Sequence, residues 1–260
     1  MTKRVRLDQL LVQRALAPSR ERAQALILAG AVRVDGDRAD RAAAPVLEDA
    51  DVAVDPGPRY VSRGGDKLAG ALEALGLDVS GKIAIDVGSS TGGFTDVLLQ
   101  RGATRVHAVD VGKGQLAWKL RQDPRVVVHE GVNAREGVPI DESVDILVAD
   151  VSFISLRLAL PPALAKLRDG GDLVALVKPQ FEAGRDAVGK GGVVREPEAR
   201  AAAVIAVARD LVSRGLGVVA VTPSPIAGRE GNREIFVHAR KGAATLGADA
   251  IAAAAREASV

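Results

Sequence analysis

Four ionisable residues, far apart along the 260-residue chain, offer it its chemistry: Lys67, Asp150, Lys178 and Glu234. Lys178 closes an apolar run at Leu176-Val177-Lys178-Pro179, and Asp150 closes another that begins at Asp145. Glu234 opens a third run, in Gly231-Asn232-Arg233-Glu234-Ile235-Phe236. Lys67 stands at the start of a helical Leu68, Leu72, Leu75 stripe, where the positive end of the helix disfavours an ammonium group. Taken singly, such residues are more often surface charges or structural ion pairs. A lysine that ends an apolar strand beside a proline is the least ordinary of them. Once burial and cationic neighbours favour its neutral form, a lysine amine can take the proton of a weakly acidic hydroxyl aligned for in-line attack.

A second constellation concerns a ligand. Asp86-Val87-Gly88-Ser89-Ser90-Thr91-Gly92-Gly93-Phe94 is a glycine-rich turn between an apolar run and a helical pattern, and its glycines let a ligand approach the backbone closely. A dinucleotide fingerprint requires G-x-G-x-x-G, but Ser90 occupies the second glycine position. No Lys-Ser or Lys-Thr follows the glycines either, so a P-loop is not matched. The next apolar run ends in Asp110, placed to accept hydrogen bonds from ribose hydroxyls, and the third leads to Asn133, whose amide can pair with an adenine edge. The set suits a nucleoside without a pyrophosphate. S-adenosylmethionine meets that description, and the layout resembles a class I methyltransferase. That resemblance makes Asp86, Gly88, Ser89, Ser90, Gly92, Phe94, Asp110, Asn133 and Asp150 the candidate cofactor residues.

The acceptor follows from what is missing. Amino-group methyltransferases acting on adenine or cytosine carry Asp/Asn-Pro-Pro-Tyr/Phe after the fourth strand, and this chain reads Asp150-Val151-Ser152-Phe153. With no cysteine anywhere, the thiol route to carbon 5 of pyrimidines is closed, together with disulfides, iron–sulfur clusters and Cys-containing zinc sites. A hydroxyl acceptor remains the better candidate. The three histidines, His107, His129 and His238, have no metal-ligand spacing, so no metal is expected.

Positioning these residues requires a particular framework. Runs at Ile83 to Val87, Val106 to Asp110, Arg125 to His129, Asp145 to Asp150, Asp172 to Lys178, Leu216 to Val221 and Glu234 to Ala239 alternate with helical patterns. That order predicts an α/β, Rossmann-like domain with a seven-stranded, mostly parallel sheet that binds ligands beyond its carboxyl ends. Composition agrees with a globular chain, at 47% hydrophobic and 26% charged residues. No uncharged apolar run reaches membrane-spanning length, and the apolar stretch after Asp8 is too short for a signal-peptide core, so a cytoplasmic protein that crosses no membrane is expected.

Before this domain, Leu7, Leu10 and Leu11 recur at helical spacing, and Ala23, Leu26 and Ile27 follow Ser19, a candidate N-cap. Gly30 can stop the second helix, and Val32-Arg33-Val34-Asp35-Gly36 reads as a strand entering a tight hairpin. Residues 1–34 hold seven Lys or Arg against two acids, whereas residues 35–55 hold two against seven. The first segment therefore presents a basic face able to attract a polyanion.

Arg6-Leu-Asp-x-x-Leu-Leu, Ser19-Arg20-x-x-Ala23 and Ala29-Gly30-x-Val32-x-Val34-Asp35-Gly36 together resemble the S4 RNA-binding domain. This implies a small α+β domain over residues 1–55, with Lys3, Arg4, Arg6, Arg20 and Arg22 on RNA phosphates; Arg63 is a further candidate. Prolines and glycine at Pro56-Gly57-Pro58 suggest a linker over 56–62, ahead of a catalytic domain over 63–240 and an alanine-rich tail over 241–260. Gly184, Arg185, Gly189, Lys190, Gly191, Gly192 and Arg195 form a basic, glycine-rich loop that either closes over RNA or is a solvated connection.

The order Lys67, Asp150, Lys178, Glu234 resembles the Lys-Asp-Lys-Glu tetrad of FtsJ-like ribose 2′-O-methyltransferases. With the S4-like segment and the strings Ser62-Arg63-Gly64-Gly65-Asp66-Lys67-Leu68, Asp110-Val111-Gly112-Lys113-Gly114-Gln115-Leu116 and Lys178-Pro179-Gln180-Phe181-Glu182, the chain is similar to the TlyA family. Members of that family methylate cytidine 2′-hydroxyls of ribosomal RNA and were historically labelled haemolysins. The resemblance implies ribosomal subunits as partner and S-adenosylmethionine as cofactor. It makes Lys178 the base or hydroxyl-activating residue, has Asp150 orient it and the methyl donor, and has Lys67 and Glu234 position the ribose and tune the lysines. Alternatives are a non-catalytic ribosome-assembly factor, a membrane-lytic protein, suggested by the old label alone, and, more weakly, a dehydrogenase.

Overall fold

A computed structural model describes residues 3–55, 57–184, 187–189, 191–228 and 231–259. Two compact units make up the chain, Met1–Arg59 and Tyr60–Val260.

The first unit runs β1 (Arg4–Arg6), α1 (Leu7–Gln13), α2 (Arg20–Leu28), β2 (Val32–Val34), β3 (Asp37–Arg38), β4 (Pro45–Leu47) and β5 (Val52–Val54). The Ser19 hydroxyl accepts the Arg22 backbone N–H at 3.2 Å and so starts α2. Asp35 and Gly36, at φ 51° and 89°, both adopt the left-handed conformation that a two-residue hairpin between β2 and β3 demands. Strands pair β3-β2-β5 and β1-β4, all antiparallel. Leu7, Leu10 and Leu11 from α1, Ala23 and Ile27 from α2, and Val32 from β2 form a core that is essentially solvent-free. Each large aliphatic side chain buried there stabilises the unit by about 1.5–3 kcal/mol.

The second unit runs α3 (Arg63–Ala74), β6 (Ile83–Val87), α4 (Gly93–Gln100), β7 (Arg105–Asp110), α5 (Trp118–Arg121), β8 (Val126–Glu130), β9 (Val144–Ala149), α6 (Leu156–Ala159), α7 (Pro161–Leu164), β10 (Leu167–Val177), α8 (Pro179–Glu182), α9 (Pro197–Ser213), β11 (Leu216–Pro223), β12 (Ile235–Lys241) and α10 (Ala248–Glu257). Its seven-stranded sheet has the order β11-β12-β10-β9-β6-β7-β8, and β12 alone runs antiparallel to its neighbours. Alternate residues of each strand enter opposite layers. Ile85, Val87, Leu147 and Ala175 pack with Val204 and Val207 of α9, while Ala84, Val148, Val174 and Leu176 pack with Leu68, Leu72 and Val97 of α3 and α4. Burial of both faces explains why the strands read as continuous apolar runs rather than alternating ones.

Residues 60–62 belong to this second unit rather than to a free connector. Tyr60 is buried against Gly65, the Val61 N–H donates to Asp96 Oδ2 at 2.9 Å, and Ser62 is the N-cap residue of α3. The alanine-rich tail is likewise built in. Ile251 and Ala255 of α10 join the core, and the buried Arg200 guanidinium donates to the carbonyls of Ser259, Val194 and Arg195.

Candidate active site

Strand register assembles the site. Val87 pairs with Ala149, Ala149 with Ala175, and Val177 with Ile235. The residues just beyond these pairs, Gly88, Asp150, Lys178 and Glu234, therefore share one edge of the sheet. Because β12 is antiparallel, its beginning lies beside the ends of the parallel strands, which brings Glu234 to the same edge as Lys178.

The four chemistry-bearing residues form two ion pairs, Lys67–Glu234 buried and Lys178–Asp150 partly buried. Lys178 Nζ lies 2.7 Å from Asp150 Oδ1, oriented as an ion pair rather than an aligned hydrogen bond, and donates to Ser152 Oγ at 2.7 Å. Lys67 Nζ donates to Glu234 Oε2 at 2.5 Å. The lysine side chains are each only 11% exposed, so both charges are largely shielded from solvent screening. Lys67 sits in the second turn of α3, beyond the helix end whose field the sequence suggested would act on it, and the Glu234 carboxylate dominates its surroundings. Ser152, which touches Lys178 directly, was not singled out from the sequence; its place two residues after Asp150 was the available signal.

In the glycine turn the close approach is between two strand ends. At Gly88, with φ 82°, a Cβ would stand 2.6 Å from the Asp150 carbonyl oxygen, so the two strand ends touch only because no side chain is there. Asp86 is fully buried. Its Oδ2 accepts both the Thr95 N–H at 2.9 Å and the Thr95 hydroxyl at 2.7 Å, tying the end of β6 to α4, while Oδ1 has no partner among the described residues. Burial, reinforced by the nearby Asp150 and Asp110 carboxylates, pushes the Asp86 carboxyl up to about 7 against the Thr95 hydrogen bonds.

Asp110 receives the Ser90 N–H on Oδ2 at 2.8 Å and the Gly112 N–H on Oδ1 at 2.7 Å, which orients the carboxylate and leaves each oxygen a further lone pair. Glu130, at the end of β8, was not anticipated. It holds the 114–116 loop through the N–H groups of Gly114, Gln115 and Leu116 and pairs with Arg121, contacts that pull its carboxyl down to about 2. Asn133 is exposed, bonded to Glu136 and the Arg135 N–H, and lines a cavity of about 440 Å³ with Val132, Val138 and Pro139. Ser89 is buried and Ser90 exposed in the turn, Gly92 caps α4 at φ 95°, and Phe94 is a core residue stacked on Phe236. A larger cavity, about 520 Å³, lies between Asp169 and Arg240, near the β10 end opposite Lys178; Arg214, Arg240 and Lys241 there already face Asp210, Asp172 and Asp169.

Of the candidate RNA residues, Lys3, Arg4 and Arg22 are exposed on the first unit. Arg6 and Arg20 both donate to Asp8, at 2.9 and 3.0 Å, with roughly half of each side chain still accessible. Arg6 is the largest influence holding the solvent-free Asp8 carboxyl well below the usual range. Arg63, in the second unit, donates to the Ala227 carbonyl at 2.7 Å. In the glycine-rich loop Arg185 and Lys190 lie outside the described residues. Its far end is fixed by the buried Asn232 amide, which accepts the Val194 N–H at 3.2 Å and donates to the Gly192 carbonyl at 3.0 Å.

Comparison with known proteins adds ancestry to this geometry. Residues 60–241 match the model of the FtsJ-like methyltransferases and residues 5–52 that of the S4 domain. The chain is 50% identical over 244 residues to the 16S/23S rRNA (cytidine-2′-O)-methyltransferase TlyA of Mycobacterium tuberculosis, spanning 92% of this chain and 91% of that one. It is 40% identical to Hemolysin A of Brachyspira hyodysenteriae, over 90% of this chain and 99% of the relative. A solved structure from Streptococcus thermophilus that carries a hemolysin label superposes with a TM-score of 0.73 at 42% identity, covering 99% of this chain and 96% of the other. Strand order, the paired lysines and acids at one sheet edge, and these matches agree that the chain belongs to the FtsJ-like methyltransferase family, as a member with an S4 domain at its N-terminus.

Proposed function

We propose that this protein transfers a methyl group from S-adenosylmethionine to the 2′-hydroxyl of a cytidine in 16S or 23S ribosomal RNA, or in both. The observation that carries the reading is the Lys178–Asp150 ion pair at 2.7 Å, one residue beyond the strand pairing that also delivers Gly88. Its chemistry suits a hydroxyl acceptor, and the substrate class is that of the 50%-identical relative.

The residues present fit the cofactor. Asp86 Oδ1 is a buried acceptor without a partner among the described residues, and each Asp110 oxygen accepts one backbone N–H and keeps a further lone pair. Asp110 would hold the ribose hydroxyls, Asn133 the adenine edge, and the backbone of Gly88 to Gly92 the amino-acid portion. When bound, S-adenosylmethionine supplies a methyl carbon made electrophilic by its sulfonium. Lys178, as the neutral amine, takes the 2′-hydroxyl proton as the oxygen attacks, and Asp150 and Ser152 hold that amine in place, the Asp150 carboxylate stabilising the ammonium that forms. The Lys67–Glu234 pair borders the same edge and positions the ribose. Lys3, Arg4 and Arg22, with the accessible parts of Arg6 and Arg20, provide phosphate contacts in the first unit. An rRNA substrate places the protein in the cytoplasm, and among the described residues no helix is long and apolar enough to cross a membrane.

The test is tritium transfer from labelled S-adenosylmethionine to purified ribosomal subunits, with the product mapped by mass spectrometry. Lys178→Ala is expected to lower turnover by about 10²- to 10⁴-fold while cofactor affinity survives. Full activity in that variant, or methyl groups found on bases rather than riboses, overturns the assignment.

A further inference from the structure

The two segments that carry Lys178 and Asp150 are joined by a residue outside the tetrad. Lys178 is followed at once by α8, a single turn whose last residue is Glu182. Asp150 is followed by residues 151–155, which lead into α6. The Glu182 side chain is only 2% exposed. Its Oε2 accepts the Ser155 hydroxyl at 2.6 Å and its Oε1 accepts the Leu156 N–H at 2.6 Å; Arg157 Nε stands 3.5 Å from Oε2.

We infer that Glu182 is a positioning residue that fixes Lys178 against Asp150 and Ser152 by clamping the far end of the 150–155 segment; the inference rests on the ribose-methylation reading above. The near end of that segment is already held, because the Asp150 N–H donates to the Val87 carbonyl at 3.0 Å. Glu182 supplies the second anchor. Between the two anchors lie both groups that touch the Lys178 amine, Asp150 Oδ1 and Ser152 Oγ, each at 2.7 Å. The turn on the other side is equally short: the Phe181 N–H closes on the Lys178 carbonyl at 2.9 Å and the Ala183 N–H on the Pro179 carbonyl at 2.8 Å. A displacement at Glu182 therefore has little chain over which to dissipate before it reaches Lys178.

The choice of residue type supports a positioning role. Burying a carboxylate carries a desolvation cost, seen here as an upward push on the Glu182 carboxyl that Ser155, Leu156 and Arg157 partly offset. An apolar side chain of similar size would fill the space without that cost, yet would take away the acceptor of the Ser155 O–H and of the Leu156 N–H, the first helical N–H of α6. A carboxylate at this place holds two donors on the neighbouring segment at once, and fixes direction as well as distance.

The experiment compares wild type, Glu182→Gln and Ser155→Ala, all full-length, in tritium transfer to ribosomal subunits. Calorimetric titration with S-adenosylmethionine counts the binding-competent sites, so that kcat is expressed per site rather than per chain. Glu182→Gln is expected to lose about 100-fold in kcat per site, the effect of misplacing a reacting group by about 1 Å, with KM for subunits and Kd for S-adenosylmethionine within about threefold of wild type. Ser155→Ala, which removes one of the two Glu182 bonds together with the N-cap bond from the Arg157 N–H, is expected to lose about tenfold and serves if Glu182→Gln does not fold. A kcat per site near the wild-type value in the folded variants, or a loss shared equally by Kd and KM, overturns the inference. If wild type transfers no methyl to subunits, the ribose reading falls and this falls with it; an active wild type beside unaffected variants sinks the clamp alone.

Discussion

At the scale of single residues, the charges that were visible in sequence acquire different physical roles once their partners are known. Asp86 was grouped with the cofactor residues, and the structure makes it first a tie between β6 and α4, through two hydrogen bonds from Thr95. Because burial raises its carboxyl to about 7 in the folded chain, the folded state holds that proton more tightly than the unfolded state, where the usual value is near 4. Its contribution to stability is thus fully present below about pH 4 and is lost as pH rises towards 7, a swing of at most about 4 kcal/mol. Asp86→Asn should flatten that decline: the unfolding midpoint of wild type relative to the variant is expected to fall between pH 4.5 and 7.5. Parallel midpoints across this range in thermal scans would show that Asp86 does not carry the dependence. Asp8 is the opposite case, since Arg6, Gln24 and Arg20 all donate to it and keep it ionised. By holding two arginines in place it also orders part of the basic face.

At the scale of elements, the site depends on how closely strand ends approach. Gly88 is the position where backbone conformation and contact both exclude a side chain, with φ 82° and a notional Cβ 2.6 Å from the Asp150 carbonyl oxygen. Gly88→Ala must strain the left-handed backbone by about 1–2 kcal/mol and push the Asp150 segment away. Cofactor affinity in that variant is expected to fall by about tenfold or more in calorimetric titration, with a lower unfolding midpoint. Helix α10 shows how a neutral-looking alanine run becomes structural. Its small side chains let it pack on α9 and β11, and Arg200 fastens the chain beyond it to residues 194 and 195. Asn232 then ties Val194 and Gly192 to the segment that precedes Glu234. The tail thereby supports residues 192–195 and, through Asn232, the segment that leads into Glu234.

At the scale of the whole molecule, the proposed docking and the proposed chemistry fall on two different units. The first presents Lys3, Arg4 and Arg22 to solvent, and the second carries both ion pairs. This division predicts separable kinetics. Arg4→Glu combined with Arg22→Glu is expected to raise KM for ribosomal subunits and flatten its salt dependence, leaving Kd for S-adenosylmethionine unchanged. An unaltered KM and salt slope in filter-binding and transfer assays would move the RNA contacts elsewhere.

Much of this was legible in the chain alone, for local physical reasons. The seven strands of the large sheet were readable as apolar runs, the central ones because burial on both faces writes a strand that way. Ser19 and the Asp35-Gly36 turn were readable because caps and tight turns admit few residue types. The residue types at the strand ends, Lys178 and Asp150 above all, likewise carry the hydroxyl-directed chemistry proposed for the site. What spacing along the chain does not encode is which lysine meets which acid. Only sheet register, with β12 reversed, brings Glu234 to Lys67 across 167 positions and Lys178 to Asp150. Glu182, Glu130 and Asn232 were given no role of their own for the same reason: each acts through hydrogen bonds to backbone or side chains 9 to 40 residues away, and such partners exist only after the strands have paired.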